Sequence, residues 1–287
     1  MKSLAAVFAL SATVLLFGCG GVPAPAPIIP PTSTTTQPPA TPATPDIAGN
    51  WQFNTLSTVP GKPPLTFAGS ISQTNSTASA ALHVNGSNCF NQLTTMGLTG
   101  TLTGSDISLT STPVEGQVIT LTGTITGDVD TGVPTFTGTY SINGGCGDGD
   151  KGTVTGIWIY LDQALDGTFT TSQQQTFAVS GGLYYEIEPN LDGSSGITGT
   201  VTFSTPCFSS VMIKPGTLSS GSYIIGTTVG LEFDTGNGTL TFLGTVNLDS
   251  YVPEFDSYLI SGNYTVSGGT CDGTGTAVLR VYNPWDY

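Results

Sequence analysis

The strongest constraint on this chain is that its second half repeats its first. Cys89-Phe90 returns as Cys207-Phe208, and Ile119-Thr120-Leu121-Thr122-Gly123-Thr124-Ile125 returns as Leu240-Thr241-Phe242-Leu243-Gly244-Thr245-Val246. Gly138-Thr139-Tyr140-Ser141-Ile142, followed by Gly144-Gly145 and Cys146, returns as Gly262-Asn263-Tyr264-Thr265-Val266, followed by Gly268-Gly269 and, after an inserted Thr270, Cys271. Gly49-Asn50-Trp51 matches Gly167-Thr168-Phe169 in the frame of the Cys-Phe pair. Anchors recurring in one order mark a duplication. It divides the body into residues 47–163 and 164–287, each the size of an ordinary domain.

Inside each half the period is two. Val118, Thr120, Thr122 and Thr124 alternate with Ile119, Leu121 and Ile125, and Thr200 and Thr202 alternate with Val201 and Phe203. Threonine on one face and apolar residues on the other is the pattern of half-buried antiparallel strands. Breaks such as Thr103-Gly104-Ser105-Asp106, Asp130-Thr131-Gly132 and Thr235-Gly236-Asn237-Gly238 have the chemistry of hairpin turns. The spacing predicts an all-β chain of two tandem antiparallel modules with roughly eight strands each, built as a meander barrel or a β-sandwich. With 39 glycines, 8% charged and 38% apolar residues, composition supports strands and a core over helices or disorder.

Gly49-Asn50-Trp51 resembles the Gly-x-Trp that opens the first strand of lipocalins and avidins. The resemblance implies a calycin-like barrel with Trp51 packed against one end. Lipocalins also set a late arginine against that tryptophan; the first half has none, and the second has Arg280 but Phe169 in place of the tryptophan.

Cys19 apart, four cysteines remain, and four allow three pairings. The duplication favours Cys89–Cys146 and Cys207–Cys271, each bond closing a long loop for about 4 kcal/mol. In a closed eight-stranded meander the cysteines of a pair share one end but lie on opposite sides. The segment between Gly86 and Gly97 must then fold across the mouth. That is the end at which a lipocalin admits ligand, so a bridged lid there directs the search for a cavity to the opposite end.

Met1-Lys2, the apolar run Leu4 to Phe17 and Gly18-Cys19 form a secretory signal. Leu16-Phe17-Gly18-Cys19 resembles the bacterial lipobox. That resemblance implies removal of residues 1–18 and acylation of Cys19. Gly20 stands where an aspartate would retain such a lipoprotein at the inner membrane, so the expected address is a lipid anchor in the outer membrane. Residues 19–46 carry prolines at 23, 25, 27, 30, 31, 38, 39, 42 and 45 and read as an extended tether.

Chemistry is scarce. Five basic residues and a net charge of −14 exclude a phosphate-backbone footprint, so no nucleic-acid partner is expected. The single histidine, His83, lies in an alternating strand and is matched in the second half by Val201. No zinc spacing occurs, and Ser194-Ser195-Gly196 lacks the nucleophile elbow. Asp148-Gly149-Asp150-Lys151-Gly152 resembles a fragment of a calcium loop but reads as a turn, as do Asp128 and Asp130. Glu186 and Glu188 share a strand face, as paired glycosidase carboxylates do. No catalytic residue, metal or cofactor is expected. Trp158, Tyr160, Tyr184, Tyr185, Trp285 and Tyr287 are the candidate aromatics for stacking on a glycan or an envelope protein. The reading is a non-catalytic structural or interaction lipoprotein, ahead of a small-ligand or carbohydrate binder, with a hydrolase last. The short link near Tyr160–Asp166 implies that the modules touch.

Overall fold

In the segment Asp106–Ser111, Ile107, Leu109 and Ser111 are buried while Asp106, Ser108 and Thr110 are exposed. Strands of this kind can hide their apolar face only if the sheet curls around it. The computed structural model describes residues 44–91, 94–127, 133–161, 163–186, 189–208, 210–252 and 257–283, and it contains two sheets that curl in this way.

The first runs β1 (Gly49–Ser57), β2 (Thr66–Thr74), β3 (Thr77–Asn85), β4 (Thr95–Thr103), β5 (Asp106–Ser111), β6 (Val118–Thr126), β7 (Thr135–Asn143) and β8 (Lys151–Trp158). Each strand pairs antiparallel with the next, and β8 returns to β1 to close the barrel. The second runs β9 (Gln163–Thr171), β10 (Thr176–Tyr185), β11 (Ser195–Phe203), β12 (Ser210–Ile213), β13 (Tyr223–Ile225), β14 (Thr228–Asp234), β15 (Thr239–Val252), β16 (Ser257–Ser267) and β17 (Gly273–Tyr282). Here β17 pairs with β9, and the β10–β11 ladder completes the circuit. The short β13 is an addition. β12 meets β14 only at Ile213 and Phe233 before the chain leaves through Lys214-Pro215, and proline has no N–H for a ladder. β13 then pairs with both β11 and β14 and fills the gap in the wall. The architecture is thus two barrels, not sandwiches, and no helix occurs among the described residues.

Both interiors are filled. Trp51, Phe53, Phe67, Leu82 and Met96 pack the first barrel, and Phe169, Phe203, Phe233, Phe242 and Ile260 the second. The repeated glycine of the duplicated motif serves this filling. Gly123 lies opposite Gly138, and Gly244 opposite Gly262. A Cβ at Gly123 or Gly138 would strike the ring of Phe136, and one at Gly244 the ring of Phe242, so the paired glycines leave room for a ring to lie across the sheet.

The ladders correct one anchor of the repeat. Trp51 lies opposite Gly69 and Trp158, whereas the residue opposite Gly181 and Val281 is Leu165. Leu165 is therefore the counterpart of Trp51. Phe169 stands farther along its strand, towards the disulfide end. By the same register His83 answers to Thr202 and not Val201. Arg280 does not pack on an inward aromatic either; it pairs across strands with Asp166 and lies over the Tyr282 ring.

The barrels dock through polar groups that the sequence places on outward strand faces. Asn50 and Ser70 are completely buried. The Asn50 amide Nδ2 donates to the Gly226 carbonyl at 2.8 Å, and its Oδ1 accepts the Gly226 N–H at 2.6 Å. Ser70 donates to the Gly193 carbonyl at 3.1 Å and lies 3.0 Å from the Ser195 hydroxyl. Gly226 has φ of 54°, and a Cβ there would collide with Gln52 and Ala68. Residues Pro42–Tyr287 accordingly form one compact unit.

Candidate functional site

Most of the residues singled out from the sequence have structural work. His83 is buried at the docking surface, where its Nε2 lies 2.6 Å from the Asp192 carbonyl and 3.2 Å from the Thr95 hydroxyl. Ser194 donates to the Asp192 carboxylate at 2.6 Å and makes no bond to His83, so these three do not form a nucleophilic relay. Burial works to raise the Asp192 pKa. The hydrogen bonds from Ser194 and the Leu218 N–H, with His83 nearby, outweigh it and hold the carboxyl below its ordinary range. Glu186 is exposed, and its N–H bonds the Gly196 carbonyl. Asp148 accepts the Gly144 N–H at 2.7 Å as a turn residue, and no metal-holding group of three acidic, histidine or cysteine residues occurs among the described residues.

The aromatic candidates divide in the same way. Trp158 stacks on Tyr160 at 5.0 Å, Tyr160 meets Tyr185 edge-on at 5.4 Å, and the Trp158 indole N–H donates to the Ala48 carbonyl. This is packing at the junction between the barrels, not a platform open to a ligand. Tyr184 is 55% exposed on the outer face of β10. Cys19, Asp128, Asp130, Glu188, Trp285 and Tyr287 lie outside the described residues.

The site emerges from comparing the two disulfide mouths. Cys89 is bonded to Cys146 and Cys207 to Cys271, with Cα atoms 5.4 and 5.9 Å apart, and each bond pins the β3–β4 connection or its counterpart across its barrel. In the first barrel, Phe90 closes the mouth from above, and Gln117 bridges the Cys89 carbonyl and the Gly147 N–H at 2.8 and 2.7 Å. Below them Asp150, only 3% exposed, accepts the Ser57 hydroxyl at 2.6 Å and the Tyr140 hydroxyl at 3.1 Å. Burial pushes the Tyr140 phenol above its ordinary range, and the adjacent carboxylate adds to it. The space left is about 190 Å³.

The second mouth has the same frame and a different filling. Phe208 takes the place of Phe90, and the Asn237 amide donates to the Cys207 carbonyl at 3.0 Å. After Cys146 the chain spends Gly147-Asp148-Gly149-Asp150 before β8 begins; after Cys271 it has only Asp272 before β17. Asp272 takes over the turn role, accepting the Gly269 N–H at 2.8 Å, and no residue remains to supply the buried carboxylate. Tyr264, the counterpart of Tyr140, has no hydrogen bond to its hydroxyl among the described residues, and burial holds its phenol above the ordinary range. Where the first barrel has Thr55 beside a buried Leu65, the second has Phe169 stacked at 5.2 Å on Phe177, an inward-facing ring left partly exposed. The result is a pocket of about 360 Å³ walled by Phe177, Phe208, Tyr264 and the Cys207–Cys271 bridge, and rimmed by Thr171, Gln175, Thr205 and Thr274. This is within the size range of small-molecule sites. Contrary to the expectation from the bridged lid, the pocket is at the disulfide end.

No protein-family model matches the chain, and no curated sequence matches it. Among solved structures, kievitone hydratase from Nectria haematococca is similar over 86% of this chain and 93% of its own, at 10% identity and a TM-score of 0.24.

Proposed function

We propose that the protein is an exported lipoprotein of the cell envelope, anchored by an acylated Cys19 on a proline-rich tether, that binds a small uncharged ligand at the mouth of its second barrel without turning it over. The observation that carries the binding reading is the divergence of the two mouths. One frame is plugged by the Asp150–Tyr140–Ser57 cluster; in the other, the shorter connection after Cys271 leaves an aromatic pocket with a bare phenol hydroxyl. The first barrel is then the scaffold and the second the binding module. Binding without turnover is supported by the pocket's lining. Its one charged residue among those described is Asp272, already committed to a turn, and acid–base chemistry needs converging titratable groups. The lipobox and the tether support the address.

A fragment screen on the isotope-labelled full chain tests the binding reading. Hits should shift resonances of Phe177, Phe208 and Tyr264 and leave the first barrel's Phe90 and Tyr140 unmoved. Hits confined to other surfaces would refute it. For the address, Cys19→Ser should abolish acylation and release the protein from the membrane fraction; retention would count against the anchor.

A further inference from the structure

We infer that the ligand is a short neutral glycan, one ring of which lies with its C–H face on Phe177; the inference rests on the mouth of the second barrel being the binding site. Three properties of the pocket select this chemistry.

The first is charge. No lysine, arginine or histidine lines the pocket, and Asp272 stands at its edge in a chain of net charge −14. Phosphorylated, sulfated and uronate ligands would find no counter-charge and would meet a repulsive field.

The second is depth. Beneath the mouth the interior is already occupied, with Phe169 in ring contact with Phe203 at 5.7 Å, Tyr264 at 5.0 Å and Phe242 at 6.3 Å. An acyl chain needs an apolar channel running down the barrel axis, and these rings fill it. The pocket holds about one or two small rings, at the low end of ligand-site volumes.

The third is the distribution of polarity. The wall is aromatic, whereas the rim is a ring of hydroxyl and amide side chains, with the Tyr264 hydroxyl between them. A purely aromatic ligand would cover those polar groups without pairing them, which costs affinity. A pyranose matches both surfaces: its axial C–H face covers an aromatic ring, and its equatorial hydroxyls point outwards to hydrogen-bonding partners. Phe177 stacks on Phe169 and meets Phe203, Phe208 and Tyr264 edge-on at 6.1, 6.0 and 6.1 Å, and the part of its ring left exposed at the mouth is the surface on which we place the sugar.

Saturation-transfer NMR on the full chain tests this, with cellobiose and N,N′-diacetylchitobiose as neutral probes, glucuronic acid as the anionic control and N-phenyl-1-naphthylamine as the apolar control. The neutral sugars should receive saturation at their ring C–H protons, and glucuronic acid should receive none. Phe177→Ala should weaken sugar binding roughly tenfold, the scale of a lost ring contact. Because that variant also loosens the mouth, Tyr264→Phe is the companion: it keeps the ring, removes only the hydroxyl and should weaken binding severalfold. Apolar-probe binding that depends on Phe177, with no neutral sugar bound, would overturn the glycan assignment and leave the mouth as the site. Probe signals unchanged by either substitution would overturn both.

Discussion

The same conservative substitution, made once in each barrel, separates a plugged mouth from an open one. Tyr140→Phe removes a hydroxyl that donates at 3.1 Å to Asp150, a carboxylate only 3% exposed. A hydrogen bond to a charged group contributes about 1.5–3 kcal/mol net, and the carboxylate left behind keeps Ser57 as its remaining side-chain donor. We take about 2 kcal/mol, which for a body of this size is a fall of roughly 4–8 °C in Tm. Tyr264→Phe removes a hydroxyl that has no partner among the described residues, on a residue that lines the pocket. Its effect should lie within about 0.5 kcal/mol of zero. Thermal unfolding at neutral pH, followed by circular dichroism with the disulfides intact, measures both. Equal losses from the two variants would refute the asymmetry on which the assignment of the site depends, and so would a loss confined to Tyr264→Phe.

Two further outcomes concern the docking of the barrels. Asn50→Leu strips both hydrogen bonds from the Gly226 peptide at a fully buried position, so it should cost about 2–4 kcal/mol and render the buried chain at Ile159 and Leu161 sensitive to protease; resistance equal to the parent's would count against the interface. The Asp192 carboxyl is held below its ordinary 3.8, so its contribution is fully present above about pH 4 and is lost as pH falls through the lower folded value. Stability should therefore decline in acid, and Asp192→Asn should flatten that limb of the curve; an unchanged acid limb would show that the carboxyl does not contribute.

The walls of this fold were legible because a strand buried on one face must alternate. Ile119, Leu121 and Ile125 announce their side of β6 as plainly in sequence as in burial. Within-module cysteine pairing followed from the repeat, and the bonds of the structure join the same residues. The register of β1 and β9 was not legible, because Gly-x-aromatic occurs twice by coincidence of spacing and only the ladder shows which residue faces which. Alternation places Asn50, Gln52 and Ser70 on the outer face of their strands; that face is the docking surface, and alternation within one strand does not encode whether an outer face meets water or a neighbouring barrel. The pocket was hidden for a different reason. It is defined by something removed, the stretch containing Asp150, and by aromatics that alternation assigns simply to the core. The available signal was Phe177 in a copy whose partner strand shows no aromatic in the matching place, beside a shortened Cys271–Gly273 connection.

The pocket shares its wall with the Cys207–Cys271 bridge, and this ties recognition to compartment. In a reducing cytosol the connection carrying Phe208 is not pinned across the barrel, so one wall of the site is not held in place. Oxidation to the Cys207–Cys271 bond completes that wall. On the proposed export route, the chain crosses without a finished site and becomes competent to bind only after oxidation.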